Sequence, residues 1–141
     1  MQRFLLLLSL SVAALAQPVT DQMLANPDPA DWLMIRRDYK ANNYSPLNQI
    51  NKGNIKRLTP VWNVSLDNEL GEQAQPLIHD GVMYVSNARW TYAIDVGSGK
   101  MIWRTAVKFD PDTPRVVCCG NSNKGVAIYN GKVFRGTLDA H

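Results

Sequence analysis

Cys118 and Cys119 stand side by side, and they are the only cysteines in the 141 residues. Neighbouring Cα atoms lie about 3.8 Å apart across a trans peptide, whereas ordinary disulfides span roughly 4.4–6.8 Å. A bond between the two would close a small, strained ring, and strain of that kind is concentrated at functional sites. On chemistry alone three states are open: the vicinal ring, two buried thiols, or a bridge to another molecule. Lys124 follows five residues after Cys119, and an acid–amide pair, Glu72-Gln73, lies well upstream. His79 precedes an Asp80-Gly81 turn and His141 is the last residue, so neither suggests catalysis. Two His and two Cys are too few for a zinc framework built from this chain alone.

Composition narrows the class. Fifteen basic residues against 12 acidic give a formal charge of +3, too weak and too evenly spread to suggest nucleic acid. Nine Gly, 8 Pro and only 19% charged residues argue against a coiled coil, and 45% apolar residues against disorder. At the start, Arg3 precedes an apolar run from Phe4 to Leu15, and Ala14-Leu15-Ala16 is a small-x-small site before Gln17. This predicts a secretory signal over residues 1–16. The run is shorter than the ~20 residues a helical span needs, so no stable membrane span is expected. The expected location is periplasmic or secreted, where a disulfide persists, and this favours the ring at Cys118-Cys119.

Residues 17–60 are polar and Pro-rich, an irregular lead-in with room for one helical turn near Asn51–Leu58. From Val61 to His141 the pattern changes to short β-segments. Val61–Leu66, Gly81–Val85, Thr91–Asp95, Met101–Trp103 and two pieces within Val126–Phe134 are predicted strands, with hairpin turns at Val96–Lys100 and Asn130-Gly131. Pro76–Tyr84 aligns with Val126–Phe134 at an offset of 50 residues, and Trp62 and Trp103 are 41 apart. A period of roughly 40–50 residues with several short strands per unit predicts an all-β, β-propeller fold. Trp62 precedes Gly81 by 19 residues but Trp103 precedes Gly131 by 28. The additional residues fall within Lys108–Asn123, around the cysteine pair, and predict a loop on a binding face. Counting back equally from the two turn glycines sets Gln73 opposite Asn123. The Glu72-Gln73 and Cys118–Lys124 loops should therefore emerge at one level, where a single ligand could touch both.

The motif Cys118-Cys119-Gly120, followed by Asn123-Lys124-Gly125-Val126-Ala127, resembles the quinoprotein alcohol dehydrogenases that use pyrroloquinoline quinone, PQQ. Trp32, Asp38-Tyr39, Asn43–Leu47, Ile50-Asn51 and Leu58–Trp62 resemble that family's N-terminal block. Gln75–Val85 is similar to its first cofactor-side strands, and Ala93–Asp95, Gly99-Lys100 and Trp103 to its tryptophan-docking repeat. The resemblance implies an eight-bladed propeller, with about the first two blades here and PQQ near the axis. It implies that Cys118 and Cys119 form a vicinal disulfide against the planar cofactor. Lys124 takes the place of an Arg near the quinone oxygens; it keeps the charge but not the planar fork. Where the family has a contacting Glu, this chain has Gln73, with Glu72 one residue earlier; Gln73 is the favoured contact.

The resemblance also implies Ca2+ or a lanthanide in the full-length enzyme, an alcohol or related small molecule as substrate, and a cytochrome-type electron acceptor. The metal ligands, catalytic Asp and second stacking face are expected beyond His141. The chain is thus expected to be an N-terminal part of a dehydrogenase, inactive by itself. The competing function is a non-enzymatic propeller scaffold, which has no use for a strained ring beside a flat cofactor.

Overall fold

The computed structural model describes residues 17–67, 72–118 and 120–140. The expected signal over residues 1–16 lies outside them, as does Cys119. A four-stranded antiparallel meander comprises β1 (Leu77–His79), β2 (Val82–Ser86), β3 (Trp90–Asp95) and β4 (Met101–Ala106), in spatial order β1-β2-β3-β4. A second, two-stranded sheet pairs β5 (Ala127–Tyr129) with β6 (Lys132–Phe134). Two short helices accompany them, α1 (Asp21–Ala25) and α2 (Thr113–Val116), with a 3-10 turn at Ile55–Arg57.

The β1–β2 and β5–β6 hairpins are copies. Leu77 pairs with Tyr84 as Ala127 pairs with Phe134, Ile78 with Met83 as Ile128 with Val133, and His79 with Val82 as Tyr129 with Lys132. The turns match as well: φ is 49° and 73° at Asp80-Gly81, and 47° and 70° at Asn130-Gly131. Positive φ at both central residues is the type I′ hairpin turn, whose twist suits the flanking strands and which Asn, Asp and Gly adopt most readily. Turn chemistry thus sets the register of both hairpins.

Burial rises toward the middle of the first sheet. Thr91–Ile94 of β3 are buried, whereas every residue of β4 is exposed, as befits the outer edge. One apolar cluster joins Val85, Tyr92 and Ile94, with Trp62, Val64 and Leu66 packed on it. The other joins Val19, Leu33, Leu77 and Ile128, so it ties the lead-in to the first strand of each sheet. At roughly 1.5–3 kcal/mol for each fully buried aliphatic side chain, these clusters are what hold the two sheets and the lead-in together.

The lead-in is more ordered than its composition predicts. Thr20 caps α1 by accepting a hydrogen bond from Met23 N at 3.4 Å, and Trp32 adds a two-way backbone bridge to Ile78 at 2.8 and 2.9 Å. Val61–Leu66 departs the other way. Its alternation is real, with Trp62, Val64 and Leu66 half-buried, but it forms no β-ladder. Those side chains lie against the Val85–Tyr92–Ile94 cluster, and Leu66 O is held by the Tyr92 hydroxyl and by Asn87 Nδ2. Period-two burial requires only an extended chain over an apolar surface, not a paired neighbour.

Candidate functional site

Because the two hairpins are copies, the loops that lead into β1 and β5 emerge side by side. Gln73 sits four residues before β1, and Lys124 three before β5. The structure brings them together: Lys124 Nζ donates a hydrogen bond to Gln73 Oε1, across 51 residues of sequence. Both are exposed. The bonded partner is an amide, which accepts from the ammonium without bringing a charge of its own. Glu72 is also exposed, and its charge is felt at the Tyr92 phenol, whose pKa is raised by burial first and by Asp67 and Glu72 as well. The lysine contact falls to Gln73.

Neighbouring bonds hold these loops. Gln75 Oε1 accepts from Arg36 N at 2.9 Å, tying the first loop to the lead-in. In the second loop, Asn123 Oδ1 accepts from Ser86 Oγ at 2.6 Å and from Gly125 N at 3.0 Å, while Asn123 Nδ2 donates to Gly136 O at 3.0 Å. Gly125 has φ of 128°, a conformation side chains rarely adopt, which turns the chain from this clamp into β5. Cys118 is exposed, two residues beyond the end of α2. No disulfide occurs among the described residues, and Cys119, the other half of the expected ring, is outside them.

Sequence reasoning did not single out Ser86, the Asn123 side chain or Arg135. Arg135, just past β6, reaches into the β2–β3 turn of the first sheet. Its Nη1 donates to Trp90 O at 2.6 Å and Thr91 Oγ1 at 3.0 Å, and its Nη2 to Asn87 O at 2.6 Å and Ala88 O at 3.2 Å. Burial lowers its pKa. The Asn-x-Gly pattern at Asn123–Gly125 is a local turn signal that could have marked Asn123. Nothing local points Arg135 at a turn more than 40 residues away.

An ammonium beside an amide that both donates and accepts suits a ligand carrying several carboxylates. Among the described residues, no group of three His, Cys, Asp or Glu is placed to hold a metal ion. A lysine ammonium and a neutral amide are by their chemistry suited to carboxylates, such as those of PQQ, rather than to a metal ion.

A four-stranded meander followed by an in-register copy of its opening hairpin is part of a β-propeller. The chain belongs to the PQQ-dependent dehydrogenases: residues 32–140 match the family described as glucose/ethanol/alcohol dehydrogenase, β-propeller domain. It is 39% identical over 143 aligned positions to quinohemoprotein alcohol dehydrogenase ADH IIB of Pseudomonas putida, an alignment covering 96% of this chain and 20% of that protein. It is 43% identical over 115 positions to 1-butanol dehydrogenase (cytochrome c) of Thauera butanivorans, covering 77% of this chain and 16% of that one. Among solved structures, a europium-containing methanol dehydrogenase superposes with a TM-score of 0.76 at 31% identity, covering 84% of this chain and 21% of its own. The chain thus spans about a fifth of the length of these relatives.

Proposed function

We propose that this chain forms one side of the PQQ site of a dehydrogenase that oxidises alcohols or related small molecules. The observation that carries the reading is the Lys124–Gln73 contact between the two repeat loops. In this reading Lys124 supplies a fixed positive charge to a polycarboxylate, Gln73 orients it by hydrogen bonding, and Cys118 and Cys119 close into a vicinal ring against its plane. PQQ, when bound, supplies the two-electron acceptor chemistry. A fixed cation near the quinone oxygens stabilises the charge they gain on reduction more strongly than the uncharged quinone carbonyls, which is the useful direction for catalysis.

The names of the relatives support the partners. A 1-butanol dehydrogenase linked to cytochrome c favours an alcohol substrate and a cytochrome-type acceptor, and the europium-containing relative favours a lanthanide as readily as Ca2+. We read residues 1–16 as an export signal and the enzyme as periplasmic or secreted, with residues 17–60 the lead-in and 61–141 propeller. No helix among the described residues is long and apolar enough to cross a membrane. Residues 17–141 should give no dye-linked alcohol oxidation above free-cofactor background with PQQ and Ca2+ present, because one face and one Lys leave most of a planar ligand unburied.

The test is a PQQ titration of the protein, followed by quenching of its tryptophan fluorescence. Lys124→Ala is expected to weaken binding about tenfold, the size of one charge-assisted hydrogen bond. Equal affinity in the wild type and in Lys124→Ala would overturn the reading.

A further inference from the structure

Lys124 has a long, flexible stem, and a flexible cation is a poor recognition element unless its root is held. The bonds around it hold the root on both sides. Asn123 Oδ1 accepts from Gly125 N at 3.0 Å, a bond that encloses Lys124 between its ends. The same oxygen accepts from Ser86 Oγ at 2.6 Å, and Ser86, the last residue of β2, is 0% exposed. The other end of the amide donates to Gly136 O at 3.0 Å, just past β6. The partners fix the sense of this amide, because Gly125 N can only donate and Gly136 O can only accept.

The anchor point carries the inference. Gln73 is placed by β1, which follows it, and β1 is paired with β2. Through Ser86, Asn123 refers the root of Lys124 to that same hairpin rather than to its own sheet alone. Both members of the Lys124–Gln73 pair are thereby set on one rigid frame, although they belong to different repeats.

We infer that Asn123 is the positioning residue of this site: its side chain, tied to Ser86, holds Lys124 where its ammonium meets Gln73 and a bound polycarboxylate. This rests on the reading of Lys124 as the cofactor's cation, and the experiment separates the two.

The 141-residue protein is titrated with PQQ at several salt concentrations, as wild type, Lys124→Ala, Asn123→Ala and the double variant. The expected result is that Asn123→Ala weakens binding severalfold and lowers its salt dependence as Lys124→Ala does. The double variant should then bind no more weakly than Lys124→Ala, since no cation remains to be positioned. Unchanged affinity in Asn123→Ala, a loss that adds in full to that of Lys124→Ala, or weaker binding with the wild-type salt dependence would each overturn the inference. Unchanged affinity in Lys124→Ala overturns the underlying reading and the inference with it. If Asn123→Ala loses its cooperative melt, Ser86→Ala, which removes one bond of the clamp, carries the same cycle with the same expected and overturning outcomes.

Discussion

Trp62 occupies the space that a side chain at Gly99 would need. A Cβ at position 99 would lie 2.6 Å from Trp62 Cδ2, while the indole Nε1 donates to Val96 O at 2.8 Å. The turn between β3 and β4 is therefore a seat for an indole brought in by the extended segment that precedes the sheet. Gly99 has φ of 71°, so both its missing side chain and its backbone conformation serve this contact.

Gly99→Ala is expected to destabilise the protein by at least about 1–2 kcal/mol from the left-handed backbone alone, and further through displacement of Trp62. Gly97→Ala in the same turn is the control. A Cβ there meets only Asp95 Oδ1 at 3.6 Å, so its effect should stay within about 0.5 kcal/mol. Urea unfolding followed by tryptophan emission measures both, and equal effects would refute the indole seat.

Arg135 joins the second sheet to the first through four hydrogen bonds, three of them to backbone carbonyls. Arg135→Met should cost about 2–4 kcal/mol, because those carbonyls lose a charged donor in a partly dry place. Arg135→Lys should recover little of this, since an ammonium cannot span Asn87 and Trp90 at once. Denaturant titration of the three proteins decides it; a neutral Arg135→Met would show that the sheets need no such tie.

His79 is buried between two acceptors. Its Nδ1 lies 3.0 Å from Asp31 Oδ2 and its Nε2 2.6 Å from Gln17 O, so the doubly protonated ring satisfies both. Burial alone would depress its pKa, but the Gln17 carbonyl, the Asp31 carboxylate and the charge of Asp80 outweigh this and raise it above the ordinary 6.5. A raised folded pKa contributes stability that is fully present below the unfolded value and lost as pH climbs through the folded one. The melting temperature should accordingly fall as the pH rises above the ordinary histidine value of 6.5. In His79→Gln this component of the fall should vanish, and an unchanged pH profile would count against the protonated clasp.

Export and the cysteine ring are read by mass. Protein recovered from the exported fraction should begin at Gln17, and a retained Met1 would contradict the signal at residues 1–16. A peptide spanning Cys118 and Cys119 should be two hydrogens lighter before reduction, with no second peptide attached. Two alkylatable thiols in unreduced protein would refute the ring.

Much of the architecture is legible in local chemistry. Asp80-Gly81 and Asn130-Gly131 specify type I′ turns whatever surrounds them, and the 50-residue offset becomes an identical strand register. That the two loops emerge at one level also follows from the repeat, which sets Gln73 opposite Asn123; the contact itself is made one residue further on, by Lys124. The limits are of one kind. Val61–Leu66 alternates as a strand does, yet whether such a segment pairs depends on a neighbour that its own residues do not name. Arg135 and His79 have ordinary local surroundings. Their partners, the Asn87–Trp90 turn for one and Asp31 with Gln17 for the other, are chosen by how the sheets and the lead-in pack. A turn or a register is settled by bonds among residues a few positions apart. A buried cation's partner or an amide's anchor is settled only when long-range packing excludes water and leaves one set of acceptors within reach.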